Sequence, residues 1–289
     1  MDIRSTGRAW GAMIGSSSGT RLVQWNERDA MLYAIGVGAG LGAPERELGF
    51  TTENNGAVPL RALPGFLTIL AAGQRPPALQ TLDAERFLHG EQSIELLRPL
   101  PASGQGYVCS TIESVLDKGA GAIIVIVATL CSDDAARTSI GRSRMSIFVR
   151  GAGGFGGPRG TAAIFALPER APDKRITYHT RPEQALLYRL SGDRHRLHSD
   201  PEFAKAQGFN GPILHGLCTY GFACRALIET ACDGDPARLQ MMDGRFRTPV
   251  YPGDTLTTEI WHEADVVFFQ TLDGNGNAAI ERGRAKISG

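Results

Sequence analysis

The sequence predicts an α+β chain made of two similar units, each an antiparallel sheet curved around a helix. Three observations carry this expectation: an early stretch that recurs in the second half, a second recurrence at nearly the same offset, and one long apolar helix followed by strand-like segments. The first recurrence sets NERDAMLYAIGVGAG (26–40) against RPEQALLYRLSGDRH (181–195), 155 residues apart, with Ala30, Leu32 and Tyr33 over Ala185, Leu187 and Tyr188. The second sets ELLRPLPASGQ (95–105) against RFRTPVYPGDT (245–255), with Pro99 over Pro249. Two matches in the same order indicate a duplicated unit of about 150 residues.

Taken in order, the first half reads as strands at 92–98, 106–117, 121–132 and 143–150. AIIVIVATL (122–130) is too short to span a bilayer and suits a buried strand. Only the short PGFLTILAAG (64–73) stands for a central helix. LHG (88–90) repeats the LHG at 214–216, but EQSIELL after it reads as a strand. RGAGGFGGPRG (150–160) is glycine-rich but lacks a phosphate-loop lysine, so it reads as an irregular linker. The expected units are therefore 1–150, a linker at 151–175, and 176–289.

In the second half Thr180 and Glu183 have capping-box spacing, with Pro182 in the first turn, predicting a helix over 181–190 that ends near Gly192. Ser199 and Glu202 repeat the pattern around Pro201, predicting a helix to Gln207 stopped by Gly208. Leu217, Tyr220, Cys224, Leu227 and Ala231 recur at helical spacing within 213–232, and Ala223 and Ile228 widen the stripe to that of a buried helix. Strand-like segments follow at 239–248, 255–272 and 278–288.

With 30 basic and 30 acidic side chains the formal charge is zero, which argues against a nucleic-acid binder but not against a local basic pocket. The five cysteines form no C-x-x-C pair, and three lie in one apolar stretch, so buried free thiols in a reducing compartment are expected. The opening residues carry no continuous apolar run and the last residues no peroxisomal tripeptide, which leaves a cytoplasmic protein with no membrane partner as the expectation.

The chemistry-bearing stretch is YRLSGDRHRLHSDPEFA (188–204), which places Asp193, His195, His198 and Asp200 within eight positions. In the first repeat Gly38 stands where Asp193 does, so the charged turn belongs to one half only. A carboxylate and an imidazole turned inward hold a water molecule between them and exchange its protons; a solvated polar loop has the same composition. Asp200 favours the N-terminus of the helix that follows. There is no H-E-x-x-H or clustered Cys/His spacing, so no metal is expected.

These residues resemble the MaoC-like dehydratase, or (R)-specific enoyl-CoA hydratase 2, family. Its motif, a tyrosine followed by G-D-x-N-P-L-H, appears as YRLSGDRHRLH, with His195 and Arg196 in place of the family's Asn and Pro. SDPEFAKAQGFNGPILHGLCTYG and RFRTPVYPGDTL resemble the family's later stretches, and FLHGEQSIELLRPLP (87–101) and FVRGAGGFGG (148–157) its noncatalytic domain and linker. The resemblance implies a double hotdog fold and reversible addition of water to a trans-2-enoyl-CoA, giving a (3R)-3-hydroxyacyl-CoA. It implies Asp193 and His198 as the catalytic pair, His198 as base on water and Asp193 as its partner, although exchanged roles fit the sequence equally. It further implies His195 as the water-holding group, the Gly216 N–H as donor to the thioester oxygen, and Gly211 and His215 as substrate-binding residues. Capping or packing accounts for His215, and close packing for Gly216, as well as those roles do.

Arg245 and Arg247, two apart on a strand, point the same way and either reach the phosphates of a pantetheine carrier or cover a solvent face. Arg142, Arg144 and Arg150 are further candidates. No cofactor is expected beyond the coenzyme A thioester itself, and a homodimer is. Two alternatives stand beside the hydratase: a dehydratase acting on acyl carrier protein, and a noncatalytic acyl-CoA binding module. The short helix of the first half would leave room for long or ring-bearing acyl chains, including sterol side-chain thioesters.

Overall fold

Among the described residues, ten strands pair antiparallel into a single sheet. They are β1 (Ser17–Trp25), β2 (Phe87–Leu96), β3 (Gly104–Asp117), β4 (Gly121–Cys131), β5 (Ser139–Arg150), β6 (Lys174–His179), β7 (Leu239–Phe246), β8 (Thr255–His262), β9 (Val267–Leu272) and β10 (Ala278–Ile287). The computed structural model describes residues 7–56, 58–72, 75–133, 138–160 and 165–288. The spatial order is β1-β3-β4-β5-β2-β7-β10-β9-β8-β6. Outward from the centre, β2-β5-β4-β3-β1 is matched by β7-β10-β9-β8-β6, so every strand has a counterpart five strands later. The duplication read from the sequence is thus a duplicated sheet, and its second pair of matching stretches runs from the ends of β2 and β7 into the next strands. The two expected sheets are fused: β2 pairs with β7, from Glu91 opposite Arg245 to Glu95 opposite Met241. That pairing satisfies two strand edges that would otherwise present open backbone groups.

Eight α-helical segments complete the described chain: α1 (Gly7–Gly11), α2 (Glu27–Gly36), α3 (Leu48–Thr51), α4 (Leu67–Leu70), α5 (Pro77–Gln80), α6 (Gln184–Tyr188), α7 (Pro201–Ala206) and α8 (Gly216–Thr230). The long apolar stretch is α8, three residues shorter at its start and two at its end than the sequence pattern. Cys218, Tyr220, Phe222, Ala223 and Leu227 are fully buried in a core shared by both halves, with Tyr33, Val37, Phe66 and Leu67 from the first and Met242, Phe269 and Ile280 from the second. The counterpart of α8 is only a 3-10 turn, Pro64–Phe66, running into α4; Gly73 of the expected stretch lies outside the described residues. A smaller core forms beneath α1 and α5 from Trp10, Leu79, Ile112, Ile124 and Val149. One face of β4 serves both, with Ile124 and Ile126 in the small core and Ala128 and Leu130 in the large one.

The glycine-rich segment is irregular, as its composition indicates, although β6 already begins at Lys174. Its backbone donors are turned onto Asp117 at the end of β3, whose carboxylate accepts the N–H groups of Gly119, Gly154 and Gly156, each at 2.8 Å. These bonds hold the Asp117 pKa down at about 2. Gly154 and Gly156 have φ of 81° and 76°, conformations glycine adopts without strain.

Both expected capping boxes are replaced. The Thr180 hydroxyl donates to the Asp254 carbonyl (2.8 Å) and accepts the Gly253 N–H (2.9 Å), tying β6 to the turn before β8. Helix α6 therefore starts at Gln184 without a side-chain cap, and its continuation over Arg189–Ser191 is 3-10. Asp200, not Ser199, caps α7 and accepts the N–H groups of Glu202 and Phe203, both at 3.1 Å. A carboxylate directly before Pro201 reaches those two donors, and Gly208 (φ 87°) ends the helix as expected.

Candidate active site

The site is built on the turn between α6 and α7. Gly192, at φ 143°, reverses the chain after the 3-10 turn and presents Asp193 at the surface. The Asp193 Oδ1 accepts the His195 N–H at 3.1 Å. His195 in turn caps the short turn Arg196–His198, its Nδ1 accepting the Leu197 N–H at 3.3 Å. An accepting Nδ1 leaves the His195 proton on Nε2.

His198 has the opposite arrangement. Its Nδ1 lies 2.9 Å from the Ile213 carbonyl, which only accepts, so Nδ1 carries the hydrogen and Nε2 presents a lone pair. Burial pushes its pKa below the ordinary histidine value, with His195 adding to the effect and the Ile213 carbonyl and Asp193 opposing it. The ring is therefore neutral and basic at physiological pH.

His215 lies directly behind it. It is the N-cap residue of α8 and only 1% exposed. Its ring stacks on His198 with centroids 3.7 Å apart and planes 25° apart. Its Nε2 donates to the Asp193 backbone carbonyl at 3.1 Å, and its buried Nδ1 has no hydrogen-bond partner among the described residues. Burial, with the neighbouring His198, lowers its pKa to about 3. Potential ligand atoms of Asp193, His198 and His215 all lie within 4.8 Å of one another. One nitrogen of each ring is already bonded to a backbone carbonyl, His198 Nδ1 to Ile213 and His215 Nε2 to Asp193. The trio is arranged for hydrogen bonds.

Gly216 is the first residue of α8, where N–H groups have no intrahelical acceptor and the helix dipole is positive. A Cβ here would lie 3.3 Å from the Phe246 ring. His89, from the LHG of the first half, meets the same Phe246 edge to face at 5.0 Å. The stretch is in β2 as the sequence indicates, yet its histidine borders the site from the other half. Its Nε2 bonds the Glu91 carbonyl at 3.1 Å, and burial lowers its pKa to about 4.

The remaining candidates are more scattered. Gly211 lies in the loop before α8 with open space where a Cβ would be. Arg245 and Arg247 do point the same way, both toward Glu281, at 3.7 and 4.0 Å, although Arg247 lies just past the end of β7. Arg142 pairs with Glu95 and Arg144 with Glu113 on the sheet; Arg150 is exposed at the end of β5.

Sequence reasoning missed the groups that fasten the site to the first half. The last carbonyls of α2 lie beyond its regular ladder and take donors from outside the helix, Ile35 accepting the Gly38 N–H at 2.9 Å as well. Gln184 Nε2 donates to Ile35 (3.3 Å) and Gly36 (2.6 Å), the Cys218 thiol lies 3.3 Å from Gly36, and Arg225 Nη1 donates to Val37 (3.0 Å). Arg225 also pairs twice with Glu47, at 2.8 and 2.5 Å, and its guanidinium lies 4.3 Å from the centre of the Tyr178 ring. One signal was available: Arg225 is the single charge between Leu217 and Ile228. Among the described residues no helix is long and apolar enough to cross a membrane.

Comparison with known proteins adds three kinds of likeness. Residues 164–282 match the MaoC like domain, and residues 23–151 the MFE-2 hydratase 2 N-terminal domain. 3-Hydroxyacyl-thioester dehydratase Y of Mycobacterium tuberculosis is 44% identical over 253 residues, covering 86% of each chain. The peroxisomal enoyl-CoA hydratase 2 of Arabidopsis thaliana is 39% identical over 281 residues, covering 92% of this chain and 91% of the other. A solved MaoC-like dehydratase from Phytophthora capsici superposes with a TM-score of 0.84 at 34% identity, covering 96% of both chains.

Proposed function

The chain belongs to the MaoC-like dehydratase family, with the family's double hotdog fold, and on that premise we propose that it is a 2-enoyl-CoA hydratase, adding water reversibly to a trans-2-enoyl thioester. The observation that carries the reading is the His198 tautomer: Nδ1–H held by Ile213 leaves a neutral Nε2 lone pair beside the Asp193 carboxylate. His198 takes a proton from water as the water oxygen bonds to Cβ of the substrate. Electron density moves to the thioester oxygen, which accepts the Gly216 N–H at the positive end of α8. The proton then passes to Cα and the thioester carbonyl re-forms, leaving both protein groups as they began. Asp193 orients the water, and His195, with its proton on Nε2, is the neighbouring donor. The (3R) outcome is part of the proposal.

Protein groups carry this chemistry and the coenzyme A thioester is the substrate. Gly211 lines its path and Arg245 and Arg247 face its phosphates, with a cytoplasmic homodimer as the working unit. The experiment is loss of enoyl-thioester absorbance on a series from crotonyl-CoA upward, with matched acyl carrier thioesters. Wild type is active and Asp193→Asn and His198→Ala lose at least about a hundredfold in kcat. No loss of absorbance on any substrate, or variants equal to wild type, contradicts the reading. A higher kcat/KM on the carrier thioesters assigns the carrier-linked dehydratase instead.

A further inference from the structure

We propose that His215 is a positioning residue for the His198–Asp193 pair, acting as a latch through its ring N–H and as a cover through its ring face. The inference rests on the hydratase reading but uses a residue that takes no part in the proton transfers above. Two contacts define it: the Nε2 bond to the Asp193 carbonyl (3.1 Å) and the stack on His198 (3.7 Å). The first fixes the peptide from which the Asp193 carboxylate hangs. The second closes one face of the His198 ring against water.

The unpartnered Nδ1 makes the case specific. A buried acceptor without a partner is destabilising, so simple packing would favour an apolar ring here. Phenylalanine supplies the face without the edge donor, and glutamine the donor without the face. Histidine supplies both in one small ring, and the idle Nδ1 is the cost of combining them. Burial keeps His215 neutral, so a proton arriving on His198 meets no second positive charge from the ring stacked on it. The groups facing the stacked pair are Asp193, His195 and the Ile213 carbonyl around His198, and Asp193, Arg189 and the Tyr188 ring around His215.

His215→Phe and His215→Gln separate the two actions when kcat, KM and the pH dependence of kcat/KM are measured on the best enoyl thioester. Phe keeps the cover and loses the latch: kcat falls about ten- to a hundredfold, KM stays within about threefold, and the acid limb stays where it is. Gln keeps the latch and loses the cover: kcat stays within about tenfold, but the acid limb moves up toward about 6.5 as water reaches His198. Equal losses in both variants with an unmoved acid limb mean packing alone and overturn the proposal, as does wild-type behaviour in either. In the unmodified protein, nitrogen NMR should find His198 as the Nδ1–H tautomer and His215 as the Nε2–H tautomer. The reverse assignment overturns the proposal without any variant. Wild type inert on every enoyl thioester is a different result, which removes the hydratase reading and this proposal with it.

Discussion

At the scale of single residues, the departure from the family motif is explained by what His195 and Arg196 do. The His195 Nδ1 caps the turn Arg196–His198, a bond an asparagine Oδ1 makes equally well. His195→Asn should therefore keep kcat within about threefold, whereas His195→Leu, with no acceptor, should lose about 1 kcal/mol of turn stability and about tenfold in kcat. A steady-state comparison of the two decides it; equal activity shows that the cap is dispensable. Arg196 replaces proline's stiffness with contacts, pairing with Asp200 at 2.7 Å and lying 4.8 Å from the centre of the Phe203 ring. The pair is exposed enough that Arg196→Ala should cost less than about 1 kcal/mol. The residue types of this turn were legible because charge crowding and the G-D…H spacing are local. Tautomers were not, because they depend on Ile213 and Asp193 carbonyls that folding brings into place.

Among elements, α8 shows most plainly what sequence conveys and what it withholds. Its apolar stripe was legible, as were the strands, because periodicity reports which face is buried. Its partner was not: α2 and α6 are 155 residues apart in the repeat, and only the fold sets Tyr33 and Tyr188 6.2 Å apart. The misread caps have a related cause, since Thr180 and Ser199 have cap-forming side chains but the turn at Gly253 and Asp200 decide the geometry. The buried pair Arg225–Glu47 joins α8 to the turn before α3, with the Arg225 side chain 3% exposed. Arg225→Met leaves the Val37 carbonyl without this donor and the Glu47 carboxylate with the Gly40 N–H but no cation, and should lower stability by up to about 3–5 kcal/mol. Arg225→Met with Glu47→Gln should recover most of that loss, because no unpaired charge remains. Denaturant midpoints of the two variants test this; equal losses would mean that the cost lies in side-chain volume, not charge.

For the whole molecule, the two halves share one sheet, one large core and the backbone capping of α2, so they should unfold in a single transition. The duplication was legible in two short matches, but the fusion of the sheets through β2 and β7 was not, since nothing local marks a strand edge as internal. Acid is the condition that should test this joint body hardest. His89 borders the seam with a pKa of about 4, His215 sits beneath the catalytic turn at about 3, and burial also lowers His198. In the unfolded chain all three titrate near about 6.5. Above that value both states are neutral at these rings and stability does not depend on them. As pH falls from about 6.5 to about 4 the unfolded chain binds protons the folded chain refuses, and stability declines by up to about 1.4 kcal/mol per pH unit for each histidine. Below about 4 His89 charges in the folded state too and its contribution to the slope ends. The carboxylates act lower: Asp117, held at about 2, lends stability that is lost only as pH falls below its unfolded value. Urea midpoints at pH 7.5, 6.5, 5.5 and 4.5 should therefore fall in the histidine window, and His89→Gln should make that fall shallower without moving the midpoint at pH 7.5 downward by more than its lost packing. A wild-type midpoint that is flat from 6.5 to 4.5 would mean that these rings take up protons in the fold as readily as in the unfolded chain, against the burial that lowers their pKa values.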